Sequence, residues 1–312
     1  MFKIGITGVG GGVGQSIIKS LIGTDYGLVT FDSDKLGTGL YMNDNSHVIP
    51  EAKSNLYIDT LFDICREEKI NLLFPGLDAE LMPLALNKEK FKEIGTRVIV
   101  SDPNVINISN DKLLTYKSLN SLNIKIPETI ETNLLTPDSL CYPFIIKPRH
   151  EGCRSKNVYM ISNKKDWVNF LHNHEKNISS FISMEYIDGD EYTCGTVNIS
   201  YCRGVIIMRR TLRNGDTYKC FVENNEIIHS CVESLMNNLL PFGACNVQLK
   251  YKNKIPWIFE VNARCSGTTA SRSMCGFNEP LIISDYLLKK KDICFKIIPK
   301  TIFRYLNEIE IE

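Results

Sequence analysis

The sequence predicts an α/β protein in which a parallel sheet is followed by antiparallel sheets. In the first hundred residues short apolar strands alternate with helical segments, which is typical of a parallel sheet with right-handed connections. From Tyr142 onward the strands are longer and short turns join them, which indicates hairpins. The chain has 312 residues, 43% of them hydrophobic, which suffices for two or three packed units. We place boundaries near residues 105 and 180, so the predicted units are 1–105, 106–180 and 181–312.

The first unit opens with a strand, Lys3–Thr7, a glycine-rich turn, Gly8–Gly14, and a helix, Gln15–Ile22. Further strands are predicted at Gly27–Phe31, Asn71–Phe74 and Arg97–Val100. The glycines follow the spacing GxxGxxG rather than the GxGxxG of a dinucleotide site, and glycine also serves simply to pack a helix onto the first strand.

Asp32 ends the second strand, as in dinucleotide-binding units. One hypothesis is therefore an NAD(P)-dependent oxidoreductase or epimerase, for which Ser273, Tyr286 and Lys290 would supply the catalytic residues. A second feature of this unit lies after the strand that ends at Phe74. Asp78 and Glu80 follow that strand, where open α/β sheets bind ligands, so both are candidates to meet a substrate amine. Glu80 equally fits the first turn of a helix.

The middle unit presents a lysine at the end of an apolar strand. A helix is predicted over Asp111–Asn120, and the strand Tyr142–Arg149 carries Lys147. The polar loop His150–Lys156 follows and can close over phosphates, although a charged hairpin loop has the same composition. Next, the strand beginning at Phe181 delivers Glu185, turns at Gly189 and resumes with Glu191. Such a bend can offer backbone groups and carboxylates to a nucleoside.

The most informative segment is the strand Trp257–Arg264. Residues two apart share a strand face, so Glu260, Asn262 and Arg264 point one way while Phe259 and Val261 pack behind them. A hairpin centred on Lys254 places Gln248 opposite Glu260. Converging oxygens beside a fixed cation suggest binding of a magnesium nucleotide. The alternative is a solvated outer face of an antiparallel sheet.

Composition narrows the class of partner. The formal net charge is zero, which argues against nucleic acid or an anionic membrane as a partner. The 11 cysteines are scattered without a CxxC pair and are expected to be reduced. We find no signal segment and no membrane span, and we expect a cytoplasmic protein.

The order of these motifs resembles the ATP-grasp superfamily, and within it single-unit ligases similar to one half of the carbamoyl phosphate synthetase large subunit and to the pyrrolysine-biosynthesis ligase. The resemblance covers nearly the whole chain. It implies a Rossmann-like pre-ATP-grasp domain (1–105), then a two-lobed ATP-grasp domain with antiparallel sheets, whose small lobe is 106–180 and whose large lobe, with the metal and phosphate site, is 181–312. The motifs that carry it are Asp111-Lys112, Ile146-Lys147-Pro148, Glu185–Glu191, Gln248 and Glu260–Arg264.

The resemblance also implies roles for individual residues. ATP would contact Lys112 and Lys147 through its phosphates, Glu185 and the backbone of Ile187 through adenine, and Glu191 through ribose. Which residues after Lys147 touch phosphate stays open, with Arg149 and Ser155 as candidates. Mg²⁺, or Mn²⁺ in its place, would be held by Gln248, Glu260 and Asn262. Arg264 and Lys147 would be the catalytic residues at the transferred phosphoryl group, and Ser266 and Gly267 extend the same motif toward the substrate.

The implied reaction is ATP-dependent ligation of a small-molecule carboxylate to an amine through an acyl phosphate. Arg209, Arg210 and Arg213 lie on one predicted strand, and Arg210 is our candidate to bind the acceptor carboxylate; a basic strand edge is the alternative. A thiol or carrier-protein acceptor stays open, and family members commonly pair as homodimers. A third hypothesis is a nucleotide-binding ATP-grasp protein without turnover.

Overall fold

The structure, a computed structural model, describes residues 1–136, 139–150 and 157–311. Within these ranges the strands form one parallel sheet and two antiparallel sheets. The predicted fold class, a parallel sheet followed by antiparallel ones, is confirmed.

The first sheet is parallel and has the strand order β3-β2-β1-β4-β5. Its strands are β1 (Lys3–Ile6), β2 (Gly27–Asp32), β3 (Ser46–Val48), β4 (Leu72–Phe74) and β5 (Arg97–Val98). The helices that join or follow them are α1 (Gly12–Leu21), α2 (Tyr57–Glu68), α3 (Asp78–Glu93) and α4 (Pro103–Asn110). The central strands are buried on both faces, which explains their unbroken apolar sequences.

The second sheet is antiparallel, with the order β6-β9-β7-β8. Its strands are β6 (Thr129–Glu131), β7 (Phe144–Pro148), β8 (Tyr159–Ile161) and β9 (Phe181–Glu185), and its helices are α5 (Lys112–Ser121) and α6 (Lys164–His174). Helix α5 begins where the Asp111 carboxylate accepts the amides of Leu113 and Leu114. Strand β9 pairs with β6 and β7, so the change between the two antiparallel sheets lies after Glu185, whereas the predicted boundary lies at residue 180.

The third sheet is antiparallel, with the order β14-β13-β10-β11-β12-β15. Its strands are β10 (Asp190–Ile199), β11 (Tyr201–Arg213), β12 (Asp216–Val222), β13 (Gly243–Lys252), β14 (Ile255–Asn262) and β15 (Thr301–Phe303). Its helices are α7 (Glu226–Leu239), α8 (Thr269–Ser273) and α9 (Glu279–Lys289).

The apolar cores show which sheets pack together. One cluster contains Ile4 and Ile17 of the first sheet unit together with Val197 and Met208 of the third sheet. The second sheet has a core of its own around Phe144 and Phe170. The first and third sheets are therefore packed as one body, while the second sheet is joined to it less extensively.

The described cysteines are free, and most are buried. No helix in the described ranges is long and apolar enough to cross a membrane.

Candidate functional site

A cleft of about 620 Å³ lies where the three sheets meet. The first sheet contributes the glycine turn at Gly11–Val13 and the loop Gly76–Asp78. The second sheet contributes Lys147, and the third contributes the polar side chains of β10, β13 and β14. Most of the predicted site residues line this cleft, namely Asp78, Lys112, Lys147, Glu185, Ile187, Glu191, Arg210, Gln248, Glu260, Asn262, Arg264, Ser266 and Gly267.

The β13–β14 hairpin places Gln248 opposite Glu260, as predicted. The hairpin turn is not centred on Lys254, as the sequence predicted. The chain turns at Asn253 and Lys254, both in the left-handed region, and this turn pairs Leu249 with Ile258. A β-bulge next to this pair restores the predicted register. Its consequence is that Phe259 lines the cleft, which corrects the expectation that this ring packs behind the polar face.

Lys147 is a buried cation at the centre of the cleft, only 7% exposed. Its Nζ donates to the carbonyl oxygen of Phe259 at 3.2 Å and lies 5.4 Å from the centre of that ring. The pKa of Lys147 is lowered to about 8, mainly because burial disfavours the charged form; the charge of Glu260 opposes this shift, and the charge of Lys112 adds to it. In the described part of the chain no carboxylate lies within ion-pair distance of this ammonium group, so its charge is available to a ligand.

Glu260 and Asn262 form the oxygen-rich part of the cleft. The Asn262 side chain donates to Glu260 Oε1 at 3.0 Å, which fixes both side chains and turns the Asn262 amide oxygen the other way. A carboxylate and an amide oxygen suit a hard divalent cation. Among the described residues no group of three or more His, Cys, Asp or Glu could hold a metal.

Gln248 is less available than the sequence suggested. Its Oε1 accepts from Arg210 Nη2 at 2.6 Å. Glu191 accepts from Arg210 Nε at 2.9 Å and lies 3.0 Å from Lys250 Nζ. Burial opposes ionisation of Glu191, but the two cations outweigh it and lower its pKa. Arg210 is therefore engaged by Glu191 and Gln248, in contrast to the expectation that it binds an acceptor carboxylate.

Arg264 and Asp78 meet across the cleft from different sheets. Arg264 Nε donates to Asp78 Oδ1 at 2.6 Å and Nη2 donates to Oδ2 at 2.5 Å. Burial opposes the charge on Asp78, yet Arg264 holds its pKa below the usual range. This two-point contact orients the guanidinium group. Beyond it, the Ser266 hydroxyl lies 2.7 Å from that of Thr268.

Two predicted residues lie elsewhere. Arg149 forms a two-point ion pair with Asp111 and lies 3.6 Å from Glu131, so it does not line the cleft. Glu80 is 2% exposed and lies beneath the loop that carries Asp78, so it meets no substrate in this structure. Ser155 lies outside the described residues.

Sequence reasoning missed several residues that line the cleft. Asn246 and Lys250 lie two positions from Gln248 on β13, so the alternation of that strand could have indicated both. Phe259 gave no such signal, because the bulge that exposes it depends on the turn. Arg304 follows β15 and donates to the carbonyl of Thr217 at 2.9 Å; no motif marks a residue brought in from so far along the chain.

The structure does not favour the oxidoreductase hypothesis. The Asp32 carboxylate accepts the Gly10 amide at 2.6 Å, so it is occupied by the glycine turn itself. The segment Thr38–Tyr41 packs so closely on this turn that a methyl group at Gly39 would clash with the Val9 backbone. The residues Ser273, Tyr286 and Lys290 do not line the cleft.

Two family models match the chain. Residues 7–99 match "PylC-like, N-terminal domain", and residues 177–308 match "ATP-grasp in the biosynthetic pathway with Ter operon".

Individual proteins are also similar to this chain, one in sequence and two in structure. A D-alanine–D-alanine ligase from Petrotoga mobilis is 37% identical over 100 residues, 32% of this chain and 33% of its own. The match therefore spans about a third of that relative. The N5-carboxyaminoimidazole synthetase structure from Staphylococcus aureus, complexed with ADP, has a TM-score of 0.77 at 17% identity, over 98% of this chain and 82% of its own. An L-amino acid ligase from Bacillus licheniformis has a TM-score of 0.69 at 13% identity, over 93% and 74%.

The identities to the solved structures are low, so these structures show a shared fold, and the family models add the sequence relationship. Residues 7–99 therefore match a PylC-like N-terminal domain and residues 177–308 an ATP-grasp family domain, and the chain shares its fold with these solved structures.

Proposed function

We propose that the protein is an ATP-dependent ligase that joins a carboxylate to an amine through an acyl phosphate and releases ADP and phosphate. The observation that carries this proposal is the convergence of Lys147, Arg264 and the oxygens of Glu260 and Asn262 in one cleft. A desolvated cation, an oriented guanidinium and metal-binding oxygens are what phosphoryl transfer requires, because it depends on positioning and charge neutralisation. A protein nucleophile is not needed.

ATP would occupy the cleft in the order that the family motifs follow. Glu185 and the backbone at Ile187 would face adenine, and Glu191 would face ribose. Lys112 and Lys147 would contact the phosphates. The similar synthetase structure from S. aureus is an ADP complex, which supports a nucleotide in this fold.

Glu260 and Asn262 would hold Mg²⁺ or Mn²⁺ together with phosphate oxygens, and Gln248 would join them through the second lone pair of its amide oxygen, since the first accepts from Arg210. The cation, when bound, neutralises charge on the phosphates. The protein contributes fixed oxygens through the Asn262–Glu260 hydrogen bond and excludes water with the Phe259 ring beside Lys147.

The chemistry follows in two steps. A carboxylate oxygen of the substrate attacks the γ-phosphorus of ATP, and the bond to ADP breaks. The amine nitrogen then attacks the acyl carbon, the carbon–oxygen bond to phosphate breaks, and the amine loses a proton. Arg264 would stabilise the transferred phosphoryl group, and Asp78, which contacts Arg264, would lie near the incoming amine.

We infer that the substrates are amino acids or small peptides. The names of two similar proteins, a D-alanine–D-alanine ligase and an L-amino acid ligase, support this class. The cleft end at Ser266 and Gly267 would receive them.

The test is to incubate the protein with ATP, Mg²⁺ and pooled D- and L-amino acids, and to measure ADP release and ligated products by mass spectrometry. ADP release that depends on an amino acid, with a product heavier by condensation, is the expected result. Binding of ATP without turnover in any pool would instead favour a non-catalytic nucleotide-binding protein. Tight binding of NAD(P) with no affinity for ATP would favour an oxidoreductase.

A further inference from the structure

The loop Gly76–Asp78, called the β4 loop here, connects the parallel sheet to the cleft. Gly76 lies so close to the carbonyl oxygen of Thr7 that a side chain at this position would clash with it. The Leu77 side chain covers Gly8 of the glycine turn. The loop is thus held tightly at its start and delivers Asp78 into the cleft.

Glu80 holds this loop from beneath. Its Oε2 accepts the Thr7 hydroxyl at 2.6 Å, the Leu77 amide at 3.2 Å and the Gly76 amide at 3.3 Å. The residue is 2% exposed, so water cannot replace these donors. One buried carboxylate therefore joins the end of β1, the β4 loop and the start of α3.

The surroundings of Glu80 add to this constraint. The Tyr57 hydroxyl is buried beside the Glu80 carboxyl group. Burial raises the pKa of Tyr57, and the nearby charge of Glu80 raises it further. A substitution that removes the carboxylate would leave several buried donors without an acceptor.

Asp78 transmits the position of the loop to the cleft. It binds Arg264 through both carboxylate oxygens. The remaining Nη1 of Arg264 donates to the carbonyl of the adjacent Cys265 at 2.9 Å. The β4 loop is therefore the only described partner from another sheet that orients this guanidinium group.

We propose that Glu80 is a positioning residue: it fixes the β4 loop so that Asp78 holds Arg264 in the orientation that phosphoryl transfer needs. The inference rests on the proposed function only for the role of Arg264. The structural claim, that Glu80 controls the orientation of Arg264, does not depend on the proposed function.

The first experiment measures hydrogen exchange in ¹⁵N-labelled protein at pH 8, for the Gly76 and Leu77 amides and for the Nε–H of Arg264. Glu80→Gln should speed exchange at all three sites by about 10-fold, the loss of roughly one hydrogen bond. Glu89→Gln is the matched control, because Glu89 lies on the same helix, is exposed and pairs with Lys92; it should change none of them. Unchanged exchange at Arg264 in Glu80→Gln would overturn the inference.

The second experiment is a double-mutant cycle on turnover. Glu80→Gln should lower kcat by about 10- to 100-fold while the KM for ATP changes little, because the group is misplaced rather than removed. The variant Glu80→Gln/Asp78→Asn should be no slower than Asp78→Asn alone, since Glu80 acts through Asp78. Fully additive losses would overturn the inference. Absence of turnover in the wild type would contradict the proposed function, and the exchange measurement would still decide the role of Glu80.

Discussion

The glycine turn after β1 and the polar face of the β13–β14 hairpin are the two motifs that gave competing functional hypotheses, and the structure treats them differently. At the glycine turn the Asp32 carboxylate accepts the Gly10 amide, and Thr7, which precedes the turn, donates to the buried Glu80 carboxylate, so these groups bond within the first sheet unit. On the hairpin, Glu260 and Asn262 bond to each other and still line the cleft.

This difference teaches that residue type and spacing are not enough to distinguish a binding motif from a packing motif. A glycine in the first turn of a helix can be required by the close approach of the backbone, as at Gly14 of α1, where a methyl group would lie 2.6 Å from the Gly8 carbonyl oxygen. Close packing does not explain polar side chains that occupy alternate strand positions and line a cleft. Variants in each region should therefore affect different measurements.

The largest effect is expected at Glu260. Replacing Glu260 with Ala removes the only carboxylate of the proposed metal site, and turnover should fall by about 10³-fold or more. The fold should remain intact because this side chain is only half-buried and bonds to Asn262 alone among the described residues. Turnover is measured as ADP release, and circular dichroism checks the fold.

Glu233→Ala provides the control, since Glu233 is an exposed carboxylate on α7 away from the cleft. It should retain full turnover. If Glu260→Ala were as active as this control, the hairpin face would have no part in catalysis and the contrast with the glycine turn would disappear.

The sequence predicted the site best where a local pattern decides geometry. Alternation along β14 correctly brought Glu260, Asn262 and Arg264 to one cleft, and the pairing of Gln248 with Glu260 was confirmed. The orientation of Phe259 could not be predicted, because it follows from a bulge that compensates for the turn at Asn253.

Long-range partners were beyond the reach of sequence patterns. Arg210 is engaged by Glu191, and Arg264 by Asp78, 186 positions away along the chain. Arg210 and Glu191 lie on neighbouring strands of the third sheet, β11 and β10, so their contact depends on the register of that hairpin. The Arg264–Asp78 contact depends on how the first and third sheets pack, and no periodicity records that. The same reason explains why Glu80, which fits the start of a helix, could not be recognised as the acceptor for Thr7.

A second prediction concerns the pH dependence of the free energy of unfolding. It tests whether the region of the glycine turn, where Glu80 is buried, has a structural role. Burial raises the pKa of the Glu80 carboxyl to about 7, against the opposing hydrogen bond from Thr7. The folded protein therefore keeps this proton after the unfolded chain has lost it, so the free energy of unfolding should fall as pH rises from about 4.5 to 7, by up to about 3 kcal/mol.

Urea unfolding of the wild type and of Glu80→Gln at several pH values measures this effect as a difference between the two proteins. Glutamine does not ionise, so its curve should lack this decline. Parallel pH dependences in the two proteins would show that Glu80 has an ordinary pKa. They would also show that its carboxyl group is more hydrated than its burial in the structure indicates.

The smallest effects are expected when one methyl group is added in each of two regions, the glycine turn and the end of the cleft at Gly267. Gly14→Ala places a methyl group against the Gly8 carbonyl and the Val9 backbone, and it should lower the free energy of unfolding by about 1–3 kcal/mol without changing the KM values. Gly267→Ala meets no atom within 4 Å and projects into the cleft. It should change stability by less than about 0.5 kcal/mol and raise the KM for the amino-acid substrate by about 10-fold. Thermal unfolding and initial rates measure both variants, and the reverse result would mean that the glycine turn, not the Gly267 end, contacts the substrate.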